Sequence, residues 1–326
     1  MDNTIIRSQP KVSVCVFAYN HEKYLAEALN SVLSQQVDFD IEVIIAEDYS
    51  TDSTLQIAQD YQTRHPALIR VEQSGREEKL IINGRMTGRH NFFNALAKCR
   101  GKYIALLDGD DYWIDKFKLQ KQVDFLELHP DYSFVFHNAV LISNNQNDLA
   151  HAPKFHANDH LATEDIDDLF VYGNQAPTSS VVFRNNIPQV WPEIFYKAGF
   201  ADWPLHIFNL NYGKAFYMHE AMSIYHIGSG IWAKRAMSEQ LRPMVEFYDY
   251  MGEILPDRLK NELPNALAEK WESLIHALVE EKRYFAALGS LFRHLRISPV
   301  FHTKKIWCRL WLFLLKKIRG KNEGAH

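Results

Sequence analysis

Two hydrophobic periods take turns along the first third of this chain. Residues 12–17, "VSVCVF", alternate like a strand, and after "AYNHE" the apolar positions Leu25, Ala28, Leu29, Val32 and Leu33 recur at helical spacing. "IEVIIA" at 41–46 is a second buried strand, and "STDST" at 50–54 supplies N-cap chemistry for a helix carrying Leu55, Ala58 and Tyr61. "LIRV" at 68–71 makes a short third strand and "EQSGREEKLIINGRMTG" a loop. Phe92, Phe93 and Leu96 mark a further helix, and "YIALL" at 103–107 a fourth strand. Strands alternating with helices at this spacing predict an α/β fold, a mostly parallel sheet sandwiched by helices. In such sheets ligands bind beyond the carboxyl ends of the strands, where "AYN", "EDYSTD" and "DGDDYW" fall.

Farther along, "KLQKQVDFLELHP" is a helix stopped at Pro130 and "YSFVFHNAVLI" a strand. "SNNQNDLAHAPKFHANDH" is polar and interrupted by proline, the pattern of a mobile loop. "SSVVF" and "KAFYM" read as strands. "ADWPLHIFNL" opens a helix with Asp202 at its N-cap or first turn, close enough to the start for Pro204 to be tolerated. From about Glu239 the pattern is helical, and "LAEKWESLIHALVEEKRYFAALGSLFRHL" reads as two helices packed as a hairpin. The expected division is an α/β domain over 1–235, a helical extension over 236–300 and a tail over 301–326.

At 47% hydrophobic and 23% charged over 326 residues, the composition is that of an ordinary globular protein. A net charge of −4 gives no basic field for nucleic acid. Cys15, Cys99 and Cys308 are odd in number and far apart, neither a disulfide framework nor a zinc knuckle, so a cytoplasmic setting is expected. The stretch "MDNTIIRSQPKVSV" has no apolar core of a signal peptide, and no run approaches the ~18 apolar residues of a membrane span. Residues 301–326 change the picture locally. They hold seven Lys/Arg and one acid, with Trp307, Leu310, Trp311, Leu314 and Leu315 at helical spacing. Such a helix can lie in the interface of an anionic membrane, which makes peripheral association with the inner face of the plasma membrane the expectation. The alternative is a helix docked on its own core with its lysines turned outward.

The chemistry concentrates in "YIALLDGDDYW". An apolar strand that ends in Asp108, Asp110 and Asp111 crowds carboxylates that repel one another unless something positive sits between them. Such a cluster can hold a divalent cation that bridges nucleotide phosphates, supply a nucleophilic aspartate for phosphoryl transfer, or merely cap the next helix. The haloacid-dehalogenase pattern places its Asp-x-Asp on an early strand and continues differently. Neither G-x-G-x-x-G after the first strand nor a Walker A motif is present. After the first two strands come Tyr19-Asn20 and Glu47-Asp48, an aromatic ring and an acceptor carboxylate suited to a nucleotide base.

Together these stretches resemble family 2 glycosyltransferases of the GT-A fold. The likeness is carried by "KVSVCVFAYNHEKYLAEALNSVLSQ", "IEVIIAEDYSTDST", "GRHNFFNALAKCRGKYIALLDGDDYWIDKFKLQKQVDFLE" and "ADWPLHIFNLNYGKAFYMHEAMSIYHIGSG", which cover most of residues 11–230. It implies a Rossmann-like GT-A sheet with a helical C-terminal extension. It also implies an inverting transfer from a nucleoside-diphosphate sugar, UDP favoured, to a hydroxyl of a glycan, in this case lipid-linked and bound for the bacterial surface. By motif, Phe17 and Tyr19 would contact the base, Asp48 would accept a hydrogen bond from it, and Arg89 would approach the nucleotide or its diphosphate. Asp110 would lie near ribose and metal, Asp111 would be the principal ligand of Mn²⁺ or Mg²⁺, and Asp108 opens the D-x-D-D pattern. Asp202 falls where the family keeps its catalytic base. Two departures stand out. Glu47-Asp48-Tyr49 replaces two aspartates and a glycine, and His226 and Gly228 stand where relatives have Arg and His. His226 is therefore a candidate third metal ligand or diphosphate contact. Two other classes stay open: a metal-dependent phosphohydrolase, which would have no use for Asp202, and a non-catalytic relative that binds nucleotide-sugar or glycan.

Overall fold

The computed structural model describes residues 9–75, 80–82, 85–143, 152–157, 162–227 and 235–297. The chain divides into two compact units between residues 233 and 234. The first unit opens with β1 (Val12–Ala18), α1 (Leu25–Leu33), β2 (Ile41–Glu47), α2 (Thr54–Arg64) and β3 (Ile69–Gln73). A small hairpin, β4 (Leu80–Ile82) with β5 (Arg85–Thr87), leads to α3 (Arg89–Ala97) and β6 (Tyr103–Asp108). Then come β7 (Tyr112–Trp113), α4 (Lys118–Leu128), β8 (Tyr132–Ser143), α5 (Leu169–Tyr172), β9 (Val182–Arg184), α6 (Ile194–Lys197), α7 (Asp202–Asn209) and β10 (Lys214–Ile227).

The main sheet has the order β3-β2-β1-β6-β9-β8-β10-β7. The pairs β2–β3, β1–β2, β1–β6 and β8–β10 are parallel; the short β9 and β7 are the antiparallel members. Alternation along β1 explains why both faces are covered. Val12, Val14 and Val16 join a core with Leu25, Leu29 and Val32 of α1 and Leu119, Val123 and Leu126 of α4. Phe17 points the other way and stacks on Phe92 of α3 at 4.5 Å. The strand order reverses at β1, flanked by β2 and β6, the place where open α/β sheets form a ligand crevice.

Three local expectations need correction. The segment read as one loop after the third strand contains the β4–β5 hairpin, and β3 itself runs on to Gln73. Within the polar loop after β8, residues 152–157 pair back onto that strand, the Phe155 N–H donating to Ala139 O at 2.8 Å and the Leu141 N–H to Pro153 O at 2.7 Å. The rest of that loop lies outside the described residues. In "SSVVF" only β9 is strand, because the carbonyls of Ser179 and Ser180 are taken by Trp113 Nε1 and Gln122 Nε2, both at 2.8 Å, within a 3₁₀ turn over Thr178–Ser180.

The second unit contains α8 (Met237–Met251), α9 (Leu263–Glu280) and α10 (Tyr284–Ile297). The hairpin expected from sequence is α9–α10; α8 adds to it, with Val245, Trp271, Leu274, Leu278 and Leu291 in a shared core. Glu281 secures the start of α8 by accepting from the Ser238 N–H at 2.9 Å and the Ser238 hydroxyl at 2.6 Å. Residues 301–326, with their basic Trp/Leu pattern, lie outside the described residues. Among those described, no helix is long and apolar enough to cross a membrane.

Candidate active site

The loops after β1 and β2 are clasped together by their short polar side chains. The Asn20 N–H donates to Ser50 Oγ (3.0 Å), the His21 N–H to Thr54 Oγ1 (2.7 Å) and the Glu22 N–H to Asp52 Oδ2 (3.2 Å). In return, Asn20 Oδ1 accepts from the Thr51 N–H (2.8 Å) and Glu22 Oε2 from the Ser53 N–H (3.1 Å). The departure at Tyr49 now has a structural meaning. Its φ is 57°, the left-handed region that glycine enters freely and that costs a tyrosine about 1–2 kcal/mol. The buried Glu47 carboxylate holds that turn, accepting from the N–H groups of Tyr49 (3.1 Å) and Ser50 (2.6 Å). Beside it Asp48 is 8% exposed. A Cβ at Gly88, the residue before α3, would come within 3.0 Å of Asp48 Oδ2, so glycine there lets the α3 start approach the carboxylate. Asp48 is also tied to the end of β1, its N–H donating to the Ala18 carbonyl oxygen at 2.9 Å, and Tyr19 follows directly in the chain.

Across β1, the end of β6 presents the acids. Asp108 is its last residue, in register with Phe17. Burial, then Asp110, then Asp202 push the Asp108 carboxyl up to about 8, with the Thr178 hydroxyl opposing. Asp111 is 2% exposed, and its carboxyl is also raised well above the ordinary range, by burial first and by Asp108 and Asp110 next, with the His226 N–H and the Ser179 hydroxyl opposing. Its Oδ1 accepts from the His226 backbone N–H at 3.0 Å, while its buried Oδ2 accepts no hydrogen bond among the described residues. The His226 ring instead packs near Tyr24 and Tyr112, with centroids 5.0 and 5.9 Å away. His21 Nε2 stands 3.7 Å from Asp110 Oδ2.

Asp202 opens α7 just inside the helix, with Ala201 at the N-cap. Its Oδ1 accepts from the Trp203 N–H at 2.9 Å and its Oδ2 from Asn174 Nδ2 at 2.7 Å. Burial raises this carboxyl; the two backbone N–H bonds, the Arg89 charge and Asn174 oppose. Arg89, 4% exposed at the start of α3, donates to the Phe200 carbonyl oxygen and so sits on the Asp202 side of the crevice. Tyr225 of β10 completes the ring. Burial raises its phenol, and the charges of Asp111, Asp108, Asp202 and Asp110 add to that effect, which keeps it a protonated hydrogen-bond donor near the acids.

Residues 13–222 match the profile described as glycosyl transferase family 2. The chain belongs to that family. An uncharacterized protein of Mycobacterium tuberculosis is 34% identical over 223 residues, 68% of this chain and 60% of its own length. The poly(ribitol-phosphate) β-N-acetylglucosaminyltransferase TarS of Staphylococcus aureus is 37% identical over 122 residues, 36% of this chain and 19% of TarS. This family 2 chain thus spans about three fifths of the mycobacterial relative and less of TarS. Among solved structures, TarS residues 1–349 superpose with a TM-score of 0.60 at 20% identity, covering 88% of this chain and 82% of that one. A mannosyltransferase from Pyrobaculum calidifontis, solved with GDP-Man and Mn²⁺, gives 0.55 at 15% identity over 95% and 88%. The fold is therefore GT-A.

Whether this family 2 site suits a divalent cation can be tested on its own atoms. Among the described residues no group of three or more His, Cys, Asp or Glu side chains is placed to hold a metal ion. Mg²⁺ and Mn²⁺ need no such group, since one or two carboxylates suffice when water and diphosphate oxygens complete the shell. The buried, unpartnered Asp111 Oδ2 among like-charged neighbours is the feature that fits. Tyr225 and Asn174 are site residues that the sequence reading missed. Tyr225 stands beside His226, which was flagged; Asn174 lies in a segment with no pattern to mark it.

Proposed function

We propose that this family 2 member is an inverting, metal-dependent glycosyltransferase that moves a sugar from a nucleoside diphosphate, UDP favoured, to a hydroxyl of a lipid-linked glycan. The observation that carries the reading is that Asp202, from a helix far along the chain, lies near enough to the acids at the end of β6 for its charge to add, after burial and Asp110, to the rise of the Asp108 carboxyl. A transferase needs both charges in one crevice. One side must accommodate a departing diphosphate and the other must take a proton from the attacking hydroxyl.

In this reading Asp111, with Asp110, would hold the cation, and His226 lends its backbone N–H to aim Asp111. When bound, the cation would offset the negative charge that grows on the leaving diphosphate. Phe17 and Tyr19 would bracket the base and Asp48 would accept its imide N–H. TarS has been solved with UDP and with UDP-GlcNAc, which supports the choice of uracil. Asp202 would be the base. Asn174 and the Trp203 N–H fix its two oxygens, and its raised pKa moves it toward working pH, where a general base is most effective. Tyr225 would donate to an oxygen of the sugar or diphosphate between the two sides. With one base and no enzyme nucleophile, the anomeric carbon inverts.

The deciding experiment is thermal stability with UDP, GDP, CMP and dTDP, each with and without Mn²⁺, for the wild type and Asp111→Asn. A ligand at ~100 times its Kd adds about 2.7 kcal/mol to the native state. One nucleotide should stabilise the wild type only with metal and leave the variant unmoved. A variant that responds like the wild type removes the metal assignment. The lipid-linked acceptor and the inner-membrane location rest on the basic Trp/Leu pattern of 301–326. Deleting that segment should weaken sedimentation with anionic vesicles, and unchanged sedimentation would withdraw both.

A further inference from the structure

We infer that His21 is the positioning residue that ties Asp110 to the clasped loops after β1 and β2. The inference rests on the donor-site reading of Asp110 and adds to it a contact that links base recognition to the acidic cluster. His21 is held at both ends. Its backbone N–H donates to Thr54 Oγ1 at 2.7 Å, so its main chain belongs to the clasp. Its side chain, 19% exposed, reaches from the loop after β1 to the loop after the adjacent β6 and places Nε2 3.7 Å from Asp110 Oδ2.

The opposite ring nitrogen shows which way the imidazole must work. Nδ1 is buried with no hydrogen-bond partner among the described residues. It lies against Gly109, where a Cβ would come within 2.9 Å of Nδ1 and 3.0 Å of the Phe17 carbonyl oxygen. The glycine of "DGDD" thus makes room for this ring. A proton on Nε2 points at Asp110; a proton on Nδ1 would be buried against Gly109 with nothing to receive it. The Nε2–H tautomer is the one the site accepts. At 3.7 Å the contact is longer than a hydrogen bond, and the inference is that it shortens when ligand binds, as site contacts commonly do. His21 then fixes the orientation of the Asp110 carboxylate.

The test is calorimetric binding of UDP with Mn²⁺ to the full chain, with GDP, CMP and dTDP run alongside on the wild type. His21→Gln places an amide nitrogen where Nε2 stands, and His21→Asn places one where Nδ1 stands. Binding should survive nearly unchanged in His21→Gln and weaken about tenfold in His21→Asn, the effect of losing one charge-assisted hydrogen bond. In an Asp110→Asn background, titrated at the higher UDP and Mn²⁺ concentrations that loss of a cation-holding carboxylate demands, the His21→Asn loss should vanish, because the two residues act as one unit. Equal affinity in His21→Asn and wild type overturns the inference. So does a loss that persists without the Asp110 carboxylate, since that would mark His21 as merely structural. A wild type that binds none of the four nucleotides overturns the donor reading and the inference together.

Discussion

The two ends of the main sheet handle charge in opposite ways. At the amino-terminal end, Glu42 is fully matched. It accepts from the Ser13 hydroxyl (2.6 Å), the Arg100 N–H (2.8 Å) and the Arg100 guanidinium (2.9 and 2.6 Å). Glu127 bridges Lys11 and Lys102 nearby, and its carboxyl falls to about 2. A cavity of about 580 Å³ opens there, among Lys11, Arg100 and Lys102, yet each of those cations already has its carboxylate. At the carboxyl-terminal end of the same strands, Asp108, Asp110, Asp111 and Asp202 face one another, and the carboxyl groups of Asp108, Asp111 and Asp202 are pushed upward. The amino-terminal cleft is thus electrostatically finished, and the crowded end is not. Groups whose pKa values are driven from the ordinary range by burial and like charge mark the end built for a ligand.

The strongest way to break that contrast is Asp202→Asn. It keeps the shape and the helix position but cannot take a proton. Transfer should fall by ~10²–10⁴-fold, the usual contribution of a positioned general base, while the affinity for nucleoside diphosphate with Mn²⁺ stays within a few-fold. A KM-against-kcat split reads this directly. Should transfer and donor affinity both persist, Asp202 is not the base, and its raised carboxyl is only the consequence of burial at a helix start.

The same contrast explains what was legible in the sequence. β1, β2 and β6 were readable because each is a mostly apolar run of strand length, and the acids that end β6 and follow it mark its end without reference to anything distant. The crevice loops were visible as polar breaks. Their mutual clasp was not, since it pairs residues about thirty apart whose donors and acceptors are ordinary Ser, Thr, Asn and Asp. The β4–β5 hairpin was missed although Asn83-Gly84 is a strong hairpin signal, because its apolar run is only three residues long amid charge. Asp202 carried no local mark beyond a helix start, so family resemblance found it and periodicity could not. Tyr225 and Asn174 matter only through what folding places beside them. The paired charges of the amino-terminal end were equally invisible, for Glu42 and Arg100 meet only when β1, β2 and the chain before β6 align.

A smaller and sharper test sets the two ends against each other through pH. Where the folded chain holds protons that the unfolded chain has released, stability falls as pH rises. Asp108, Asp111 and Asp202 are such groups. In EDTA, thermal stability should therefore decline from about pH 4, where unfolded carboxylates ionise, to about 8, where Asp108 does. Mn²⁺ should flatten the decline by taking the place of those protons. Glu42 has the opposite sign. Its carboxyl lies below the ordinary range because Ser13 and Arg100 outweigh its burial, so its contribution is complete above the unfolded carboxylate pKa and is lost only as pH falls through its own lowered value. Across pH 5–8 it is constant. Glu42→Gln should then lower the whole stability curve by ~1–2 kcal/mol, modest because Arg100 is half exposed, and leave the slope and the Mn²⁺ response as they were. Asp111→Asn should do the reverse, reducing the slope and abolishing the metal response. A wild-type curve that is flat or rising in EDTA would mean that the acids at the end of β6 are not crowded in solution, and the distinction between a finished end and an unfinished one would fail with it.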